Sequence, residues 1–160
     1  MKKAVVLLIL MISINLSAQS SFKYDVDVIQ SLYGKTKTDL VKECMGLSDT
    51  ENVAFQKVYD DYETERKVLG EKKIEIINDY GTNYSTLTDS KADELIKATL
   101  KNNLDYEKLY NKTYTKAKKA IGAINAAKFI QLEVYLQTTV RVEIQDSIPF
   151  IGELDKTKVN

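Results

Sequence analysis

The stretch from Ala123 to Phe150, AINAAKFIQLEVYLQTTVRVEIQDSIPF, limits the fold more than any other part of the chain. At about 100° per residue, Phe129, Leu132, Leu136, Val140 and Ile144 share roughly a third of a helical wheel, and Ile130, Val134 and Ile148 widen that arc. A helix this apolar on one side must be covered by other segments. Pro149 lacks an N–H and steers Ile148 away from helical backbone, so the helix is expected to stop near Ser147 or Ile148.

The covering segments are helical as well. The chain has one proline and six glycines, and it lacks runs of alternating apolar residues bounded by turns. A first amphipathic segment from Asp25 carries Val26, Ile29, Tyr33, Leu40 and Cys44, with an irregularity at Gly34 and an end at Gly46. On this line Cys44 is expected to be buried. A second, long helix follows Ser48, with Phe55, Val58, Tyr59, Tyr62, Leu69, Ile76, Ile77 and Tyr80 on its stripe, and Gly81-Thr82-Asn83 is expected to close it. The third starts at Thr88 or Asp89 and runs through Leu95, Tyr106, Tyr110, Tyr114 and Ile121 to Gly122. The expected fold is therefore all-α: four helices, the last three long, in an elongated hairpin layer or bundle. Long thin helices leave apolar stripes uncovered, so a homodimer is expected.

Residues 1–18 read as a secretion signal: Lys2 and Lys3, an apolar run from Ala4 to Ile12, then Leu16-Ser17-Ala18, with cleavage after Ala18. The apolar run is about half the length a bilayer span needs, so no membrane insertion is expected after signal removal. A linker over 19–24, a helical domain over 25–149 and a polar tail over 150–160 complete the layout. The signal takes two lysines with it, reducing the 23 basic residues to 21 against 23 acids. A slightly negative chain is a poor match for nucleic acid, whose phosphates need a basic surface. With Cys44 its lone cysteine, the chain cannot form an internal disulfide.

Histidine is missing from the sequence altogether. That removes the His-based nucleophile arrangements, the commonest general base and imidazole metal sites. The acidic run Asp60, Asp61, Glu63 and Glu65 has no glycine-bearing ligand loop around it and reads as solvated surface. Catalytic residues, metal and cofactors are accordingly not expected, and the protein is read as non-enzymatic.

Charged residues stand inside two of the apolar stripes. Arg66 and Lys73 fall among Tyr62, Leu69 and Ile76; Glu133 and Glu143 lie beside Phe129, Leu136 and Val140. A desolvated charge needs a partner, so Arg66 is expected to meet Glu133 or Glu143 across the helix interface. Tyr59, Tyr62, Tyr106, Tyr110 and Tyr114, with Ile130 and Val134, are the candidate binding residues. Tyrosine joins an apolar body to a polar tip and suits varied guests, although the same side chains would also fill a core.

Three helix starts share one form: Leu47 to Glu51, Leu87 to Lys91 and Ile124 to Lys128. Ser48 with Glu51, Thr88, and Asn125 are the expected caps. In these motifs, and in AAKFIQLE followed by a helix ending in Ile-Pro, the chain resembles the Spy/CpxP family of small periplasmic helical proteins, marked by Leu-Thr-x-x-Gln. Glu51, Lys91 and Lys128 stand where the family has its final glutamine. The resemblance implies a periplasmic envelope-stress protein that holds partly unfolded envelope proteins without ATP, as the Spy branch does. The alternatives are a regulatory partner docking one envelope sensor, as in the CpxP branch, or a structural dimer with no client.

Overall fold

The computed structural model describes residues 28–149 and 151. The expected signal, the linker, the first residues of the helical domain and, Ile151 apart, the tail lie outside the described residues. Within them the chain is helical with no strand, as the sequence leads one to expect.

A helical segment over 28–33 is broken at Gly34, whose φ of 65° is left-handed. Thr36 then caps α1 (Lys37–Met45) by accepting from the Asp39 amide, and Gly46 (φ 57°) ends it. The expected single segment is thus two. The break resets the helical phase: Lys37, Val41 and Met45 face inward, and Cys44 is exposed, correcting its expected burial.

Helix α2 (Asp49–Asn83) begins in a reciprocal cap: the Ser48 amide donates to Glu51 Oε2 at 3.0 Å, while Ser48 Oγ accepts from the Glu51 amide. At about 1.5 Å per residue its 35 residues span roughly 50 Å. Gly81 does not stop it. Thr82 Oγ1 and Asn83 Nδ2 donate to the Asn78 and Asp79 carbonyls, satisfying acceptors of the last turn, so the helix continues past Tyr80 to Asn83.

After a 3₁₀ turn at Tyr84–Thr86, helix runs over Asp89–Ser147 with one interruption, at Gly122 (φ 79°, ψ 167°). Thr88 caps the start by accepting from the Lys91 amide. The interruption divides the stretch into α3 (residues 89–121) and α4 (residues 123–147). Ile148 is extended ahead of Pro149, so α4 stops where expected.

Cross-helix contacts fix the topology. Lys91 binds Asp79 and Lys112 binds Glu65, so α3 runs antiparallel to α2. Phe55 meets Phe129, and Tyr80 Oη donates to the Pro149 carbonyl, so α4 runs parallel to α2. Asn103 and Arg141, equidistant from Gly122 along the chain, are hydrogen bonded at 3.0 Å, so α3 and α4 fold back on each other there. The core is aromatic: Phe55, Tyr59 and Tyr62 of α2 pack on Tyr106 and Tyr110 of α3 and on Phe129 of α4, with Val41 and Met45 of α1 closing one end. Phe129 meets the Phe55 and Tyr62 rings edge-on at 4.9 and 5.4 Å, a favoured aromatic geometry. A second cluster joins Ile29 to Val140 and Ile144. Among the described residues no helix is long and apolar enough to cross a membrane.

Candidate functional site

The tyrosines do not form a binding face. Tyr59, Tyr62, Tyr106 and Tyr110 are buried, and Tyr114 and Ile130 are half-buried against the same core. Of the expected binding residues Val134 alone is exposed, at 42%. The reason is topological: α2 and α3 turn these stripes toward each other, and Phe129 enters between them. Burial raises the Tyr62 hydroxyl well above the ordinary phenol range, helped by the Glu133 charge, and burial likewise raises Tyr59 and Tyr110.

The stripe charges Glu133 and Arg66 both meet partners of opposite charge. Glu133 is fully buried, and its Oε2 accepts from Lys37 Nζ at 2.7 Å and from Tyr62 Oη at 2.6 Å. Lys37 also reaches Glu63 Oε1 at 2.5 Å, and Arg66 grips both Glu63 oxygens at 3.1 Å. Two cations and two carboxylates thus form a cluster tying α1, α2 and α4 together. Burial pushes Glu63 upward, but the neighbouring Lys37 and Arg66 outweigh it and hold its carboxyl below the usual range. Lys73 lies 5.3 Å over the Tyr106 ring, and Glu143 is exposed.

Lys37 and Glu63 were missed by sequence reasoning. Lys37 stands four residues before Val41 and eight before Met45, so its place on the inner line was visible once α1 is started at Thr36. Glu63, expected at the surface, is drawn in by Arg66 three residues on; its neighbours in the acidic run do stay at the surface, Asp61 on Lys57 and Lys116 and Glu65 on Lys112. Asn125 is not a cap: α4 is helical from the residue after Gly122, and the Asn125 side chain donates instead to Glu51 Oε1 at 3.0 Å.

The exposed large apolar side chains are mostly aliphatic, with Tyr135 the aromatic exception among the described residues. Ile96, Leu100 and Leu104 recur every fourth residue along α3 and are 53%, 55% and 60% exposed. The ion pairs Lys97–Asp93 and Lys101–Asp105 flank them. Beside this stripe a groove of about 560 Å³ lies between the far ends of α2, α3 and α4, floored by Ile77, Leu95 and Ile144. These surfaces offer apolar contact rimmed by charge.

The fold and these surfaces define a strandless layer of three long antiparallel and parallel helices with an apolar outer stripe. Compared with family models, curated proteins and solved structures, the chain gives no significant match in any of the three. The resemblance to the Spy/CpxP family therefore rests on the helix-start residues and on AAKFIQLE with its Ile-Pro end.

Proposed function

We propose that the protein is exported to the periplasm, loses its signal near Ala18, and there holds partly unfolded envelope proteins without ATP and without catalysis. The observation that carries this reading is the row Ile96, Leu100 and Leu104, three aliphatic side chains more than half exposed on a helix otherwise well packed. Contiguous exposed apolar side chains with a charged rim mark interaction surfaces. Aliphatic chains on a straight helix make contacts that do not depend on a partner's exact geometry, which suits guests of varied sequence. Val134, from the expected set, is a further exposed aliphatic side chain, on α4. The buried tyrosines hold the scaffold rigid and leave guest contact to this stripe.

The test is suppression of aggregation of several unrelated unfolded proteins, at near-stoichiometric ratios and without ATP, with the solution mass measured alongside. Suppression across clients supports the proposal. Capture of one membrane protein only favours the regulatory alternative, and a dimer that covers the stripe and suppresses nothing favours the structural one.

A further inference from the structure

The outer face of α4 shows no charge over about three helical turns. From residue 129 to residue 140 the one charged side chain is Glu133, which is fully buried, and the exposed positions are Gln131, Val134, Tyr135 and Thr138. The chain as a whole is 29% charged, and the aliphatic row on α3 is flanked by ion pairs. Tyr135 and, just beyond the window, Val142 are 58% and 52% exposed. At about 100° per residue Gln131, Thr138 and Val142 form a narrow line, with Val134 on one side of it and Tyr135 on the other. An exposed strip that lacks charge and keeps tyrosine and aliphatic side chains has the composition of the core of a protein interface.

We propose that a second copy of this chain packs on this strip, α4 against α4, antiparallel about a twofold axis at Thr138. The choice of occupant comes from charge. In a twofold pairing the same strip lies on both sides, so a charge near the axis would face its own copy; this strip has none to set against itself. The charges that bound the strip choose the register. Centred between Val134 and Tyr135, an antiparallel pair would bring Lys128 level with Arg141 of the second copy, like against like. Centred on Thr138, it brings Tyr135 level with Arg141 of the second copy, a cation beside an aromatic ring, and Val134 level with Val142 of the second copy. Lys128 is then level with Ile148, the extended residue past the end of α4. The row Ile96, Leu100 and Leu104 belongs to α3 and stays outside this contact.

Sedimentation velocity of the purified protein over a concentration series tests the pairing. A dimer is expected. Thr138→Lys, which sets two like charges at the axis, should weaken self-association about tenfold or more, and Leu100→Lys on α3 should leave it unchanged. Both positions are exposed, so neither lysine enters the core. Crosslinking gives a second readout that needs no weakened variant. In a Cys44→Ser background, Thr138→Cys should form a disulfide-linked dimer with diamide as oxidant, because helices about 8–10 Å apart bring the two axial α-carbons within a disulfide's reach. Leu104→Cys in the same background should stay uncrosslinked. A monomer at every concentration, crosslinking through Leu104→Cys and not Thr138→Cys, or a dimer that only Leu100→Lys dissociates would each overturn the proposal. Guest-holding by the α3 stripe is read from aggregation and stands or falls separately from the mass of the unaltered protein.

Discussion

Lys37 of α1 and Glu133 of α4 lie 2.7 Å apart, nitrogen to oxygen, with the Glu133 side chain wholly shielded from solvent. This contact pins the short α1 across the seam between α2 and α4. Because Lys37 also binds Glu63, which binds Arg66, the charges balance inside the cluster. The arrangement fixes where α1 sits along the longer helices.

Lys37→Met leaves Glu133 with the Tyr62 hydroxyl and without the lysine it now binds. Breaking a buried pair by removing one partner typically costs about 3–5 kcal/mol. We expect a loss of about 3 kcal/mol by chemical denaturation. Adding Glu133→Leu should give a double variant more stable than the summed single losses by about 1 kcal/mol or more. Strict additivity would show that the two side chains do not interact.

Acid should loosen the same cluster. The Glu63 carboxyl is held below its ordinary value, so its contribution to stability is present above the unfolded carboxylate pKa, about 4.3, and is lost as pH falls through the lower folded value. Stability measured from pH 7 down to 2 should therefore fall below about pH 4.5, with a shallower fall in Glu63→Gln. Tyr62 gives the opposite limb. Its hydroxyl is raised, so its contribution is complete below about pH 10 and is lost as pH climbs toward the folded value. Tyr62→Phe should flatten the alkaline limb, and an unchanged slope there would contradict the assignment.

Glycines should respond with opposite signs. At Gly122 a Cβ would meet nothing within 4 Å, but φ 79° with ψ 167° is backbone that L side chains rarely adopt, so Gly122→Ala should cost about 1–3 kcal/mol. Gly81 is helical and equally uncrowded, so Gly81→Ala should stabilise by about 0.4–1 kcal/mol. Thermal melts of the two variants moving in the same direction would rule out the helix break at Gly122.

Local chemistry was legible from sequence and tertiary choice was not. Ser48, Glu51 and Thr88 could be recognised as caps because a cap needs only residues three apart. Pro149 set the end of α4 for the same reason. The tyrosine stripes were located correctly, yet periodicity names a face without naming what covers it, and α2, α3 and Phe129 cover each other. Cys44 was misplaced because a helix drawn through Gly34 carries the wrong phase into α1. Lys37 was passed over because lysine inside a helix interface is anomalous until Glu63 and Glu133 are seen around it.

The most direct test of the account is aggregation suppression by two paired variants. Leu100→Gln with Leu104→Gln removes two of the three exposed aliphatic side chains of the α3 row; Val53→Gln with Val68→Gln removes two side chains at least as exposed on α2. The expected result is at least a fivefold loss of suppression in the first, with the second matching the unaltered protein at unchanged thermal stability. Equal activity of the two variants, or no suppression by the unaltered protein, would contradict guest-holding by the α3 stripe.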